Sequence, residues 1–567
     1  MRVGKICAII LCVLFSGGVL GYHQTGTFWP ALPIFGAVGA VAILFAVVHQ
    51  RGPTVVTTLG LVIGLGAAYR VGHFSLAPSL ISIDPQAQAV QVQWIVETAT
   101  IDNMPNGFYS VAALFNILTA TAAILMDLRA DHALVVYPLL VSITVPMLAI
   151  AIGWRSYTDV SAESVKVMAL LTAVGAASLH FGMAPITQVI SLPLLGISVW
   201  SLLCYLRTDD FRFFVTLGGC VLALTFAHKL PVFVLTLILA TATVGSYVLR
   251  VSNIYQRRIR RLTALVGATL AVQWAVLTAF AGKVVGLGGG LIVSILRGEF
   301  GLESSTESSH AVSAVDSTVV SVIHNLHLLL FVAAALAGVA LLIREIRQQT
   351  LPGMAVLLSA VLVLGWLTGM GAMTPLVGGS SRPLLYGELY FAIGIALWLG
   401  RYLHQSSQTN SLGWRSVAAL GILVVVVVAQ FGAVTANPDY PDTPRMYLNN
   451  EEIATQEFER AYINEPVSAD RYYADFVADP RVPVENDNRI AMETVAQPWH
   501  PGVLEEELGN ATLIDKEPPY VTYRDIEVYR LQGGSWAILT WDPQEALEAN
   551  YHQVYDSGET ETYRHEN

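Results

Sequence analysis

The run LISIDPQAQAVQVQWIVET, residues 80 to 98, ends a long apolar segment with an acid, a proline and four glutamines before it reaches Trp94. Its side of the membrane decides how the rest of the chain threads. The chain has 567 residues, 54% hydrophobic and 13% charged, a composition of polytopic membrane proteins rather than soluble domains. Segments of about 20 apolar residues, the length a span needs, recur until about residue 436 and then stop.

Charge divides the chain at the same place. Residues 437 to 567 hold 27 Asp+Glu against 9 Lys+Arg, a balance of −18, which leaves +7 for residues 1 to 436. Such a density of carboxylates keeps a surface hydrated, as in proteins of high-salt environments, and repels nucleic acid, so no nucleic-acid partner is expected. The four cysteines, Cys7, Cys12, Cys204 and Cys220, lie inside apolar segments and form no disulfide frame or zinc motif.

Thirteen candidate spans begin near residues 6, 28, 54, 132, 163, 186, 212, 230, 262, 318, 352, 385 and 414. With the start MRVGK on the cytoplasmic side, 16 of the 22 Lys+Arg before the tail, RRIRR at 257 to 261 among them, fall on that side, as the positive-inside rule requires. A cleaved signal peptide over residues 1 to about 20 would leave the remaining topology unchanged. The expected architecture is therefore an all-α, multi-pass membrane domain, residues 1–436, with the N-terminus in the cytoplasm. An external loop, 71–131, and a small acidic α/β domain, 437–567, lie outside. Residues 107 to 125, GFYSVAALFNILTATAAIL, are apolar enough to span, but counting them would reverse the Arg-rich loops, so they are expected as a helix at the interface. In the tail, PYVTYRDIEVYRLQ and SWAILTW read as strands, DPQEALEANYHQ as a helix and VYDSGETETYR as a hairpin. Asn510 lies in an Asn-Ala-Thr sequon on the outer side, a possible glycosylation site.

A transporter keeps ionisable groups at mid-membrane. Here they gather at the outer edge: Arg70, His73 and Asp84, then His228 and Lys229 in LTFAHKLPVF, then Arg382 with Tyr386 and Glu388 in GGSSRPLLYGEL. Arg and Lys against the outer headgroups suit a lipid phosphate, the first as a planar fork and the second as a point charge. Snorkelling is the bland reading for such cations, and pairing with Arg382 is the bland reading for Glu388. Asp84 is the candidate base. Its rival role is N-cap of a helix whose first turn holds Pro85. Gln88, Gln91 and Trp94 follow on that helix and are candidates for an acceptor or sugar pocket together with Tyr386 and Glu388, although packing also accounts for Trp94.

These residues, in this order, resemble the multispanning glycosyltransferases of the GT-C superfamily that use lipid-phosphate sugars. In archaeal members an external loop carries an Asp, a helix similar to VQVQWIVET, a Tyr-Ser and Leu-Phe pair on an interfacial helix, and a span ending in a cytoplasmic Arg, as in AIAIGWR. LTFAHK, SSRPLLYGELYFAIGIALWLGR and the tail's VYDSGETETYR look like the later landmarks, so the resemblance covers most of the chain. Glutamines and Ser110 stand where many relatives have a His and a Pro, and no metal or other cofactor is expected. The oligosaccharyltransferase motif Trp-Trp-Asp-Tyr-Gly is absent, which disfavours transfer of a whole glycan. Within the superfamily the likeness points to the haloarchaeal type that moves mannose from dolichyl phosphate onto the N-glycan of an S-layer glycoprotein.

The resemblance implies a sugar on a dolichyl or polyprenyl phosphate as donor and a glycoprotein or lipid-linked glycan as acceptor. The departing phosphate is already acidic and needs no general acid. A base for the acceptor hydroxyl, Asp84, and positive charge for the phosphate, from Arg382, Lys229, His228 or Arg70, would suffice, with inversion at the anomeric carbon. Competing readings are a lipid-linked sugar flippase, for which the spans are too poor in charge, a polysaccharide polymerase or ligase, and a membrane scaffold.

Overall fold

The computed structural model describes residues 2–49, 52–102, 104, 110–157, 160–248, 251–278, 280–282, 312–314, 318–346, 352–373, 381–409, 413–433, 436–439, 445–463, 465, 467–470, 473, 499–500, 519–526, 529–530, 536–539 and 541–565. Asn510 falls outside them.

The chain is a multi-pass, largely helical membrane protein with a small C-terminal sheet region. Each of the thirteen segments read from the sequence corresponds to a helix, but fewer of them have the dimensions of a span. Among the described residues nine helices are long and apolar enough to cross a membrane. The pair Ala162–Ala173 and Ala176–Met183, bent by 47° at its break, makes up to ten. The shortfall from thirteen has physical reasons. Phe211–Ala227 has 17 residues, roughly 25 Å of helix against a hydrocarbon core of roughly 30 Å. Asn253–Val272 spends its first turns on Arg257, Arg258, Arg260 and Arg261. In Thr318–Ile346 the described apolar stretch is Leu326–Ala340.

The helix Ser381–Thr409 stands at the centre of the bundle. It packs against Ala162–Ala173, Pro352–Met373, Thr318–Ile346 and Trp414–Gly432, and its apolar window is 94% buried. The sequence explains this, because Leu384, Leu385, Leu389, Phe391, Ile393, Ile395 and Ala396 are apolar on every side, as a helix surrounded by other helices requires.

The segment expected at the interface is the helix Leu114–Met126, 13 residues, too short to span. Its inward face is Phe115, Asn116, Thr119, Ala120 and Ala123, while Ile117, Ile124 and Leu125 are exposed. Phe115 stacks on Tyr137 at 4.3 Å, and the Tyr137 hydroxyl donates to the Phe115 carbonyl, which ties the helix to the head of the span that follows. The Asp84 helix, Ile83–Thr98, lies against it.

The tail forms a five-stranded sheet in which Val467–Ser468 is flanked by Trp499–His500 and Tyr520–Arg524, both parallel to it. Thr560–His565 and Tyr551–Asp556 continue the sheet antiparallel, joined by a turn in which Gly558 takes φ 109°. The helix Pro543–Asn550 opens on an Asp542 cap. A second sheet crosses the expected boundary: Val312–Ala314, from a loop of the membrane domain, pairs antiparallel with Trp536–Leu539 of the tail. Inside the tail Arg524, 3% exposed, forms a fork on Asp470 with both contacts at 2.7 Å and also reaches Glu452 at 2.8 Å. These carboxylates hold its guanidinium above its ordinary pKa against the cost of burial.

Asp439 ties the chain that follows the helix Trp414–Gly432 to Phe28 and Tyr447. Its carboxylate accepts from the Phe28 amide at 2.5 Å and from the Tyr447 hydroxyl at 3.2 Å. Burial pushes this carboxyl up from 3.8 to about 6, despite those donors and the nearby Arg445. The folded state therefore binds the proton more tightly than the unfolded chain does. The resulting stability is fully present below pH 3.8 and lost as pH rises through about 6. Limited proteolysis after residue 439 should consequently be slower at pH 5 than at pH 7.5, and Asp439→Asn should flatten that difference.

Candidate active site

The head of the Asp84 helix differs from the sequence expectation in a way that frees the acid. The helix starts two residues earlier than an Asp84 cap would allow. Ser82 is the N-cap residue, at φ 76°, and Asp84 sits in the first turn with no capping bond. The strained Ser82 is held by the tail: its amide donates to the Met446 carbonyl at 2.5 Å, and one turn earlier Ser79 Oγ accepts from the Leu448 amide at 2.8 Å. Ile83 completes the clamp by packing against the tail's buried cluster of Leu448, Ile463, Val467, Ala469 and Tyr473. The tail thus fixes the position and direction of the Asp84 helix.

Asp84 points at the first turn of Ser381–Thr409. Its Oδ2 lies 3.7 Å from Arg382 Nη2, with the two side chains 59% and 37% exposed. That distance brings two charges together without a hydrogen bond, so neither group is consumed by the other. His228 lies within electrostatic reach of both Lys229 and Arg382. Its Nδ1 accepts from the Leu230 amide at 3.2 Å, which directs Nε2 away from the turn. Lys229 Nζ stands 4.4 Å from the centre of the Phe280 ring, and the Lys229 carbonyl accepts from the Trp274 indole. Four of the sequence candidates, Asp84, Arg382, His228 and Lys229, are therefore gathered from three separate segments.

Tyr386, one turn below Arg382, is buried and hydrogen-bonds Ser191 at 3.2 Å. Gln88 and Gln91 follow Asp84 on one face of its helix at i+4 and i+7 and are 2% and 0% exposed. Trp94 is 5% exposed and donates to the Asp102 carbonyl at 3.3 Å, a packing role on that helix. Among the described residues no group of three or more His, Cys, Asp or Glu stands close enough to hold a metal ion.

Arg70 and Glu388 meet elsewhere, at the break in the bent span. Breaking a helix at Val174 and Gly175 frees carbonyls on one side and amides on the other, where lipid offers no partner. Arg70, 0% exposed, donates to the carbonyls of Ala173 at 2.9 Å and Ser178 at 3.1 Å, and to the hydroxyls of Ser178 and Ser142 at 2.9 and 3.2 Å. Glu388 accepts from the amides of Ala177 and Ser178 at 2.7 and 2.8 Å, and Gln430 from that of Ala176 at 2.9 Å. A Cβ at Gly175 would collide with the Glu388 carboxylate and one at Gly182 with the Arg70 side chain, so both positions require glycine. The structure gives Arg70 this closing task in place of the phosphate contact expected of it. Glu388 pairs not with Arg382 but with the broken backbone. Gln430, a third member of the plug, was not singled out in the sequence; an amide in the apolar run GILVVVVVAQFG was its signal.

No protein-family model and no curated protein sequence matches the chain. Solved structures do. The Archaeoglobus fulgidus oligosaccharyltransferase AglB, in complex with an inhibitory peptide and a dolichol-phosphate, matches 85% of this chain and 74% of its own at 10% identity and a TM-score of 0.52. The apo form of the oligosaccharyltransferase from the same organism matches 83% and 69% at 9% identity and a TM-score of 0.51. ArnT from Cupriavidus metallidurans bound to undecaprenyl phosphate matches 90% and 97% at 12% identity, with a TM-score of 0.45. The fold is thus similar to that of the archaeal oligosaccharyltransferase.

Proposed function

We propose that the protein is a glycosyltransferase that moves one sugar from a dolichyl or polyprenyl phosphate carrier to a glycan acceptor, without a metal, on the outer face of the membrane. The observation that carries the reading is the 3.7 Å approach of an exposed carboxylate, Asp84, to a half-buried guanidinium, Arg382, with His228 within electrostatic reach of Arg382. The acceptor hydroxyl oxygen attacks the anomeric carbon as the carbon–phosphate oxygen bond breaks. Asp84 takes the hydroxyl proton, and the phosphate leaves with the bonding electrons toward Arg382 and Lys229. Attack opposite the leaving group inverts the anomeric centre. The archaeal oligosaccharyltransferase of the same architecture holds a dolichol-phosphate, which supports the carrier class. Mannose as the sugar and an S-layer N-glycan as the acceptor follow from the sequence resemblance and belong to the same proposal.

Membranes containing the protein should transfer label from a polyprenyl-phosphate mannose to an acceptor glycan and release polyprenyl phosphate. Arg382→Ala should lower the rate about 10²- to 10³-fold. Passage of the intact lipid-linked sugar across the bilayer without cleavage would sink the proposal in favour of a flippase. A reporter fused after residue 440 tests the orientation, and cytoplasmic activity of that fusion would place the site on the wrong face.

A further inference from the structure

We infer that Gln88, Asn116 and Gln188 form a neutral amide site that recognises the hydroxyls of an uncharged sugar on the carrier. This rests on the glycosyl-transfer reading above and names its substrate class.

The three residues are 2%, 0% and 1% exposed. Among the described residues, Gln88 Oε1 and both amide atoms of Asn116 and of Gln188 are buried with no hydrogen-bond partner. Five such atoms are costly in a folded protein unless a ligand or water completes them. Their placement ties them to the reacting groups. Gln188 is one turn before Ser191 on Thr187–Thr208, and Ser191 bonds Tyr386, which is one turn beyond Arg382. Stepping one turn back on both helices sets Gln188 near the level of Arg382 and hence of Asp84. Gln88 is one turn along the Asp84 helix. Val92, one turn further, packs with Ala120, which is itself one turn beyond Asn116 on the inward face of Leu114–Met126. That short helix also packs on Thr187–Thr208, so it joins the elements that carry all three amides.

The chemistry selects the ligand. A carboxamide offers both donor and acceptor, and so does a sugar hydroxyl. A hexuronate would bring in a carboxylate, and an amino sugar an ammonium, with no opposite charge in the amide set to offset burial. The charged groups of the site, Asp84, Arg382 and Lys229, are occupied by proton and phosphate in the proposed reaction. A neutral hexose satisfies the amides without an uncompensated charge.

The test uses the full-length protein in nanodiscs with short-chain polyprenyl-phosphate donors carrying a neutral hexose, a hexuronate or an amino hexose, and with sugar-free polyprenyl phosphate as the carrier probe. Wild type should prefer the neutral hexose. Gln188→Leu and Asn116→Leu should each lower kcat/KM for it by about 10- to 100-fold, with affinity for the sugar-free carrier unchanged. That unchanged affinity also shows that the variants fold. The near-isosteric Gln188→Glu should shift preference toward the amino hexose. Undiminished hexose transfer by both leucine variants overturns this inference alone; a wild-type preference for a charged sugar overturns it together with the mannose assignment and leaves glycosyl transfer from the carrier standing. Failure of the sugar-free carrier to bind wild type overturns the glycosyl-transfer reading and this inference with it.

Discussion

Asp84→Asn should lower sugar transfer by about 10²- to 10⁴-fold, the usual worth of a positioned base, while carrier binding stays level or tightens. The second half of that expectation is the discriminating one. Asp84 stands 3.7 Å from Arg382, so in the resting protein its negative charge competes with the carrier phosphate for the guanidinium. Neutralising it removes both the proton acceptor and the competitor. An acid that merely stabilised the first turn of its helix would act differently, because a favourable dipole contact contributes about 0.3–1 kcal/mol at an exposed position and does not touch turnover selectively. Turnover number and carrier affinity measured on the same preparation separate the two. Transfer within tenfold of wild type would remove Asp84 from the base role.

The second large effect is on stability. Arg70→Met or Glu388→Leu should each destabilise the protein by about 2–5 kcal/mol, since each strips several buried backbone groups at the break around Gly175 of their hydrogen-bond partners. The double variant should lose less than the sum of the singles, as expected for groups within one network. Thermal unfolding in detergent, followed by size-exclusion chromatography, reads the three variants. Additive losses would show that Arg70 and Glu388 close the break independently.

The helices were legible in the sequence because apolar length and arginine-rich breaks between apolar runs are local signals. The thirteen starts fall on helices, and the hairpin around Ser557 and Gly558 lies where VYDSGETETYR placed it. What local signals do not carry is which polar groups meet. Arg70 and Arg382 are equally conspicuous cations at span ends, yet Arg382 faces Asp84 while Arg70 closes a backbone break whose Ala173 is 103 residues away in the chain. The bend itself was invisible, because VMALLTAVGAASLHFGM reads as one apolar run and its only local sign is Gly175. The capping expectation at Asp84 failed for a similar reason. Pro85 at a first helical position is a sound local rule, but Met446, more than 360 residues away in sequence, holds Ser82 and draws the helix start back.

The strand Val312–Ala314 belongs by sequence to the membrane part and by pairing to the tail, where it matches Leu539, Ile538 and Ala537 in register. Portability is what this limits. A chimera that exchanged only residues 437–567 with a relative would deliver a tail whose Trp536–Leu539 strand must find its neighbour on a foreign loop. The transplant would have to carry residues 312–314 along, and with them Ser79 and Ser82, whose bonds to Leu448 and Met446 set the aim of Asp84. Tail and loops are therefore expected to be inherited as one unit, the unit of exchange being a surface rather than a stretch of chain.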